Sequence, residues 1–431
     1  MLPFGGLALA LCVCGHILGS PSLGGTFSEE SIPVSKQLVD RLLQAFSLEY
    51  DVDPMILARS PGRVNLIGEH TDYNDGFVLP VAIDRAIYVV ASRRTDRLVR
   101  LFALDYADRS SFFLNHIRFD RVHQWSNYAR GVASVLQRRG YALCGIDACI
   151  AGDVPIGAGL SSSAALEVAM AITWRALAGL DLSDRELALS AQQAENDFVG
   201  MRCGIMDQFI AVFGRKGHAL LLDCRSLAHE LVPLPPGCAI VVANTMKQRG
   251  LVDSEYNKRR AECEKGLRLL QRYIPEARAL RDIAFADLER HKGELPEVVY
   301  RRCRHVVTEN ERVLEAARAL REGDARRFGE LMVASHRSLK DDYEVSCPEL
   351  DIMVEVALSL PGAYGSRMTG AGFGGCTVSL VEEAAAEAFA AELALGYSRR
   401  TGIIPEVYIC SAANGATLHG VDEFLANNSK R

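Results

Sequence analysis

Glu69, His70 and Asp72 follow directly on an apolar run, Val64, Leu66 and Ile67, that Gly68 interrupts. A strand-like run sets a rigid frame, and the loop at its end can hold such a polar cluster in place. Two carboxylates close together suit a molecule with adjacent hydroxyls, because each ionised carboxylate accepts from two donors and discriminates by geometry. As a pocket, the cluster reads as a sugar or polyol site; as an ordinary polar loop it would be a solvated turn. Arg63 and Asn65 argue for the pocket. They alternate with Val64 and Leu66, so one face of the expected strand is polar where a plain core strand would be apolar. A buried Arg63 then requires an anionic partner or ligand.

A further carboxylate also needs explaining. Asp207 stands in Gly204-Ile-Met-Asp-Gln208, and an acid flanked by Ile205 and Met206 loses hydration unless a cation compensates. Arg63 is the expected cation. Glu195 lies upstream on a helical pattern, where a carboxylate taken alone is ordinarily a surface group.

The segment from Gly152 to Glu167 follows a strand pattern and opens a helix. Gly157 and Gly159 remove side-chain bulk so that backbone N–H groups can approach an anion. Ser161, Ser162 and Ser163 sit where a helix N-terminus presents free donors and the positive end of its dipole. Polyphosphate would be stabilised there, although a plain helix cap has much the same composition. No Gly-x-x-x-x-Gly-Lys-[Ser/Thr] run occurs anywhere and the segment lacks Lys, which excludes a P-loop. A third glycine-rich run, Thr369 to Cys376, contains Gly-x-Gly-x-x-Gly at Gly370, Gly372 and Gly375. It leads into the strand-like run Cys376 to Val381, not into a helix, which is the wrong order for a dinucleotide-binding loop.

Together these runs carry a resemblance. Gly62-Arg-Val-Asn-Leu-Ile-Gly-Glu-His-Thr-Asp-Tyr73 resembles the galactokinase signature of the GHMP kinase family. Pro155-x-Gly-x-Gly-Leu-Ser-Ser-Ser-Ala164 resembles the second motif of that family, and Thr369 to Cys376 the third. The likeness extends from about residue 35 to 417 and includes Ser335 to Leu350, for which packing between the halves of the chain is the expected role. It implies a two-domain α/β fold with mixed layers and an active site in the interdomain cleft. It also implies ATP-dependent phosphorylation of D-galactose at the anomeric hydroxyl to give α-D-galactose 1-phosphate, the entry step of galactose catabolism, without a phospho-enzyme.

Carried over residue by residue, the resemblance makes Asp207 the catalytic carboxylate and Arg63 its neighbour. It gives a sugar pocket of Arg63, Glu69, His70, Asp72, Gly204, Asp207 and Tyr256, with Tyr256 closing it from the second half. ATP would meet Gly157, Ala158, Gly159, Leu160, Ser161, Ser162 and Ser163, and Mg2+ would meet Ser163 and Glu195. Residue types do not decide whether Asp207 is a base or a positioning group, nor whether His70 contacts sugar or braces its loop. Two other readings stand beside this one. The first is a non-catalytic galactose and ATP sensor, although relatives of that kind lose residues after the serine run whereas Ser163-Ala164-Ala165 and Asp207 are present here. The second is a kinase for N-acetylgalactosamine or another close sugar.

The elements that must position these groups are legible in part. At 431 residues the chain exceeds the size of a single core, so two domains are expected. The boundary falls at Pro233-Leu-Pro-Pro-Gly237, giving halves at 33–232 and 238–420 with a tail at 421–431. Leu38 to Phe46 has helical spacing; Ile87–Ala91, Leu98–Leu101, Ile146–Ala151, Ala219–Leu222 and Ala239–Ala243 read as strands; Ala164–Leu177 and Arg185–Phe198 read as helices. This alternation predicts mixed α/β layers. Residues 256–273 and 301–320 read as charged amphipathic helices with solvated faces, and Gly323 is placed to stop the second.

Hydrophobic residues make up 49% and charged residues 24%, the composition of a globular domain, and a net charge of −6 gives no sign of a nucleic-acid or anionic-membrane partner. Twelve cysteines without a CxxC pair read as reduced thiols, as in a cytoplasmic enzyme, and a monomer is expected. Residues 1–32 form an apolar leader without preceding Lys or Arg, read as a cleaved signal or a misassigned start outside the fold.

Overall fold

The computed structural model describes residues 34–155, 159–247 and 252–428. The leader at 1–32, Gly157 and Ala158 of the phosphate-loop candidate, and the last residues of the tail lie outside the described residues.

Three sheets organise the molecule. The first has six strands in the order Thr417–Gly420, Ile56–Asn65, Pro80–Arg93, Ile146–Gly152, Leu98–Ala103 and Asp108–Phe113. Its pairs are antiparallel except for Leu98–Ala103 against Ile146–Gly152, which is parallel. The second is antiparallel, in the order Ala363–Met368, Cys376–Glu382, Cys238–Asn244 and Glu406–Cys410. A small third sheet joins Phe77–Val78, His218–Asp223 and His229–Pro233. With the helices between them, these sheets form the expected mixed α/β arrangement.

The long strand Pro80–Arg93 explains why the first sheet reads as nearly continuous hydrophobic sequence. Val89 and Ala91 face one core cluster, and Tyr88 and Val90 face another. Alternate side chains therefore enter different cores, because both faces of the sheet are covered. The Ser162–Leu177 helix belongs to the first cluster and is almost wholly buried, with Ala164, Ala165, Ala169 and Ala171 keeping it thin. The Val34–Glu49 helix covers the other face with Leu38, Val39, Leu42 and Phe46.

Two expectations are corrected. The end of the chain is no tail apart from the fold: Thr417–Gly420 pairs with Ile56–Arg59 at the sheet edge, and Val421 and Phe424 of the next helix join the cluster under Val34–Glu49. A four-residue strand carries too little periodicity to be seen in sequence. The second correction concerns the two charged helices, Val252–Leu270 and Glu297–Arg321, whose charges are not all solvated. Arg259, Arg302, His305 and Glu309 are buried. Arg259 donates to the carbonyls of Tyr343 (2.7 Å) and Glu344 (2.8 Å), and Arg302 to Glu262 (2.8 Å) and the Asp342 carbonyl (2.6 Å). Charge is tolerated inside when its donors find acceptors.

The Ala325–Asp341 helix meets the Ala363–Met368 strand backbone to backbone at Gly329 and Gly365. A Cβ at Gly329 would collide with the Tyr364 carbonyl. Gly329→Ala should therefore force the two elements apart and lower the unfolding free energy by roughly 1–3 kcal/mol, read as a lower urea midpoint. Gly293→Ala, at a position with nothing near its would-be Cβ, should stay within about 0.5 kcal/mol of the parent.

Candidate functional site

Three distant segments converge on one carboxylate. Arg63, on the Ile56–Asn65 strand just past an irregularity in its pairing, is buried. Its Nε and Nη2 donate to Asp207 Oδ1 (2.7 Å) and Oδ2 (2.6 Å), and its Nη1 donates to the Gly159 carbonyl (2.7 Å). The Arg63 amide donates to the Leu160 carbonyl at 3.1 Å, so the glycine–serine loop is fastened to the strand by main chain as well. Asp207 lies in the first turn of the Met206–Phe213 helix, and the Ser161 hydroxyl also donates to its Oδ2.

Ser161 precedes the Ser162–Leu177 helix with φ 59°, a left-handed conformation uncommon for a residue with a side chain. The usual office of a serine at that place is to cap the helix. No side chain caps this one, and the Ser161 hydroxyl is turned to Asp207 instead. The first-turn amides thus keep their capacity for an anion, beside the positive end of the helix dipole.

Asp207 receives three donors, two from Arg63 and one from Ser161. Two carboxylate oxygens offer about four acceptor directions, so one remains. Its side chain keeps 23% of its surface open, enough for a hydroxyl to reach it.

Asp72 stands beside Asp207 at the start of a short helical turn, Asp72–Asn74. Burial, and next the charge of Asp207, push its acid up to about 6, while the Tyr73 amide and Arg63 pull the other way. A Cβ at Gly204 would occupy the space of the Asp72 carboxylate, which is why that position carries no side chain. Tyr256 comes from the Val252–Leu270 helix. Burial, with Asp72 next among the causes, keeps its phenol protonated well above the ordinary range.

His70 is held at φ 64° with its ring among three tyrosines, centroids at 4.7 Å from Tyr343, 5.5 Å from Tyr256 and 5.8 Å from Tyr73. Its Nδ1 lies 2.7 Å from the Tyr73 hydroxyl, which meets the Tyr343 hydroxyl at 2.8 Å. Burial pushes the imidazole down to about 3, so the ring is neutral.

Glu69 is turned elsewhere. Its Oε1 accepts from the Gly370 amide (3.0 Å) and the Thr369 hydroxyl (3.1 Å), and the carboxylate pairs with Arg367. Burial raises its acid, against the pull of Arg367. The third glycine-rich run is therefore bound to the first, and the would-be Cβ of Gly370 faces the Gly159 carbonyl at 3.5 Å, so it also lies beside the second.

Glu195 opens a π-helical turn, Glu195–Val199, that interrupts the expected Arg185–Phe198 helix. Such turns concentrate at functional sites. Its Oε2 accepts from Gln208 Nε2 (2.6 Å) and Cys203 Sγ (3.2 Å), and Ser163 also hydrogen-bonds the carboxylate. Burial first and Asp207 second raise its acid. Gln208 Nε2 reaches Glu167 Oε2 at 3.0 Å as well, and Glu167 is fully buried.

The region thus holds more carboxylates than cations. Ser163 and Glu195 offer adjacent hard oxygens, which suit a small divalent cation. Among the described residues no group of three or more His, Cys, Asp or Glu is arranged as a metal cage. A cation here would take few protein ligands and fill its shell from phosphate and water, the habit of Mg2+.

The sequence reading missed Glu167, Gln208, Arg367, His305 and Glu309. Glu167 had a signal, being four residues after Ser163 and so on the same helix face. Arg367 and Glu309 had none, since their partners are remote in sequence.

The chain matches the galactokinase galactose-binding signature over residues 44–93, the GHMP kinases N terminal domain over 127–215 and the GHMP kinases C terminal region over 316–398. It is 55% identical to a galactokinase of Roseiflexus sp. (strain RS-1), covering 87% of this chain and 95% of that one. It is 52% identical to a galactokinase of Chloroflexus aggregans, covering 86% and 96%. The crystal structure of Lactococcus lactis galactokinase complexed with galactose superposes with a TM-score of 0.85 at 36% identity, covering 88% of this chain and 99% of that one.

The electrostatic link between the two aspartates can be measured directly. Carboxyl 13C NMR should place the Asp72 midpoint at about 6. In Asp207→Asn the neighbouring negative charge is gone while Arg63 remains, so the Asp72 midpoint should fall; an unchanged midpoint would show that the charge is not felt.

Proposed function

The chain belongs to the galactokinase family of the GHMP kinases, and we propose that it transfers the γ-phosphoryl group of ATP to the anomeric hydroxyl of D-galactose. The products are α-D-galactose 1-phosphate and ADP. The observation that carries this reading is the convergence of Arg63, Ser161 and Asp207, which sets an accessible carboxylate against a helix N-terminus able to hold phosphate.

Asp207 accepts the hydrogen of the anomeric hydroxyl with its remaining acceptor direction. Asp207 is fixed in orientation by the bidentate guanidinium of Arg63. Its main work is to hold the nucleophile in line and to receive the proton as the new P–O bond forms. A loose phosphoryl-transfer transition state is suited to this, because positioning and charge stabilisation supply most of the catalysis. Asp72, Gly204, Tyr256, His70 and Glu69 shape the sugar pocket: Asp72 as an acceptor for sugar hydroxyls, His70 and Glu69 by fixing the loop. The polyphosphate lies along the loop from Gly157 to Ser163. Ser163 and Glu195 would hold Mg2+, which would supply charge neutralisation for the polyphosphate.

The half at 33–232 then contributes phosphate loop and carboxylate, and the half at 238–420 closes the cleft with Tyr256 and the Thr369–Cys376 run. We place the enzyme in the cytoplasm; no helix among the described residues is long and apolar enough to cross a membrane. A purely regulatory galactose and ATP sensor is disfavoured by the intact Ser161, Ser163 and Asp207 constellation.

With ATP and Mg2+, a monosaccharide panel should release ADP fastest with galactose; equal or greater rates with N-acetylgalactosamine would move the assignment to that sugar. Asp207→Ala should lower kcat by on the order of 10²–10⁴ with an unchanged circular dichroism spectrum. The carboxylate form of Asp72 is the one that accepts from sugar. Galactose kcat/KM should therefore fall with unit slope below a pH of about 6, and Asp72→Asn should remove that limb.

A further inference from the structure

The Glu297–Arg321 helix grips the first-motif loop from behind. The Gly68 amide donates to Glu309 Oε1 at 3.0 Å, His305 Nε2 lies 3.1 Å from the Glu69 carbonyl, and the Phe77 amide donates to Asn310 Oδ1 at 2.8 Å. Gly68 and Glu69 form one stem of the loop that carries His70 and Asp72, and Phe77 forms the other. All three helix side chains are buried. His305 and Glu309 are one turn apart on the same face.

Each gripping side chain is itself anchored. Glu309 accepts from Ser335 and from Arg312 Nε at 2.7 Å. Burial works against its charge, but Arg312 and Arg367, with the Ser335 hydrogen bond, outweigh it and hold the acid down at about 2. A carbonyl can only accept, so the Nε2 of His305 carries the hydrogen towards Glu69. Burial keeps the ring neutral by pushing it down to about 4, and its Nδ1 lies 3.0 Å from the Ser338 hydroxyl, which in turn donates to Asp342 Oδ2 at 3.0 Å. Asn310 is fixed by donating to the Val306 carbonyl at 2.8 Å. Across the loop, Arg367, Thr369 and Gly370 hold the Glu69 carboxylate. The loop main chain is thus clamped through hydrogen bonds that no solvent can replace.

Resting on the galactokinase reading, we propose that His305 is a positioning residue that sets galactose affinity by fixing the Glu69 carbonyl, without touching either substrate. Ser338 acts through it, by holding the ring in the required orientation.

The test separates this role from general stability. His305→Leu leaves the Glu69 carbonyl without its donor and should raise the galactose KM, and the galactose Kd measured by calorimetry without nucleotide, by about tenfold. The ATP KM should stay within about twofold of the parent. His305→Gln returns an N–H donor and should recover most of the loss. Should His305→Leu fail to fold, Ser338→Ala decides the question, with an expected rise in galactose KM of about threefold at unchanged ATP KM. The proposal is overturned by an unchanged galactose KM, by galactose and ATP constants rising together, or by a glutamine variant no better than leucine. Failure of the parent protein to phosphorylate galactose would instead overturn the functional reading itself.

Discussion

An arginine side chain does not leave water without something negative to meet it. Arg63 is buried, and what meets it is the carboxylate of Asp207, gripped by two parallel N–H donors, and a loop carbonyl. Much of the site follows from satisfying this one guanidinium. The strand must end where it does to present Arg63, the glycine–serine loop must bend so that Gly159 offers its carbonyl, and the short helix must start where Asp207 can turn inward. Breaking such a pair leaves an uncompensated charge indoors, which is far costlier than the pair itself is worth. The same contact that organises the fold thus fixes the orientation of the group assigned to the chemistry.

Around this pair the carboxylates are sorted by environment. Asp207 is paired with Arg63, Asp72 is raised by burial and next by Asp207, Glu195 is raised chiefly by burial, and Glu69 is occupied by Arg367 and the third glycine run. Identical functional groups within one cleft therefore do different work. Under the proposed function a hydroxylated ligand would meet some as acceptors and a cation another, whereas Glu69 serves as a rivet between loops.

Local pattern carried much of this. The alternation of Arg63 with Val64 and of Asn65 with Leu66 announced a polar face on a core strand, and the apolar flanks of Asp207 announced a buried acid. The glycines and serines before Ala164 marked the mouth of a helix. What remained hidden depends on contacts between remote segments. Nothing in the neighbourhood of His305 or Glu309 distinguishes them from the solvated residues beside them, because their partners, the main chain at Gly68 and Glu69, lie far away in sequence. Arg302 and Arg259 misled for the same reason: periodicity reports which face is apolar, but not whether a second element will supply acceptors for a charge on that face. Glu69 shows a subtler limit. Its residue type suggested a ligand-facing acceptor, whereas the carboxylate points into Arg367, Thr369 and Gly370.

The strand Thr417–Gly420, which borders Ile56–Asn65, has a bearing on biosynthesis. Ile56–Asn65 acquires its bordering strand from a stretch made long after it. Until then the nascent polypeptide displays a row of unsatisfied amides and carbonyls along that border, open to pairing with any neighbouring chain. A border left open to mispairing until that later stretch docks is the natural outcome of such a topology.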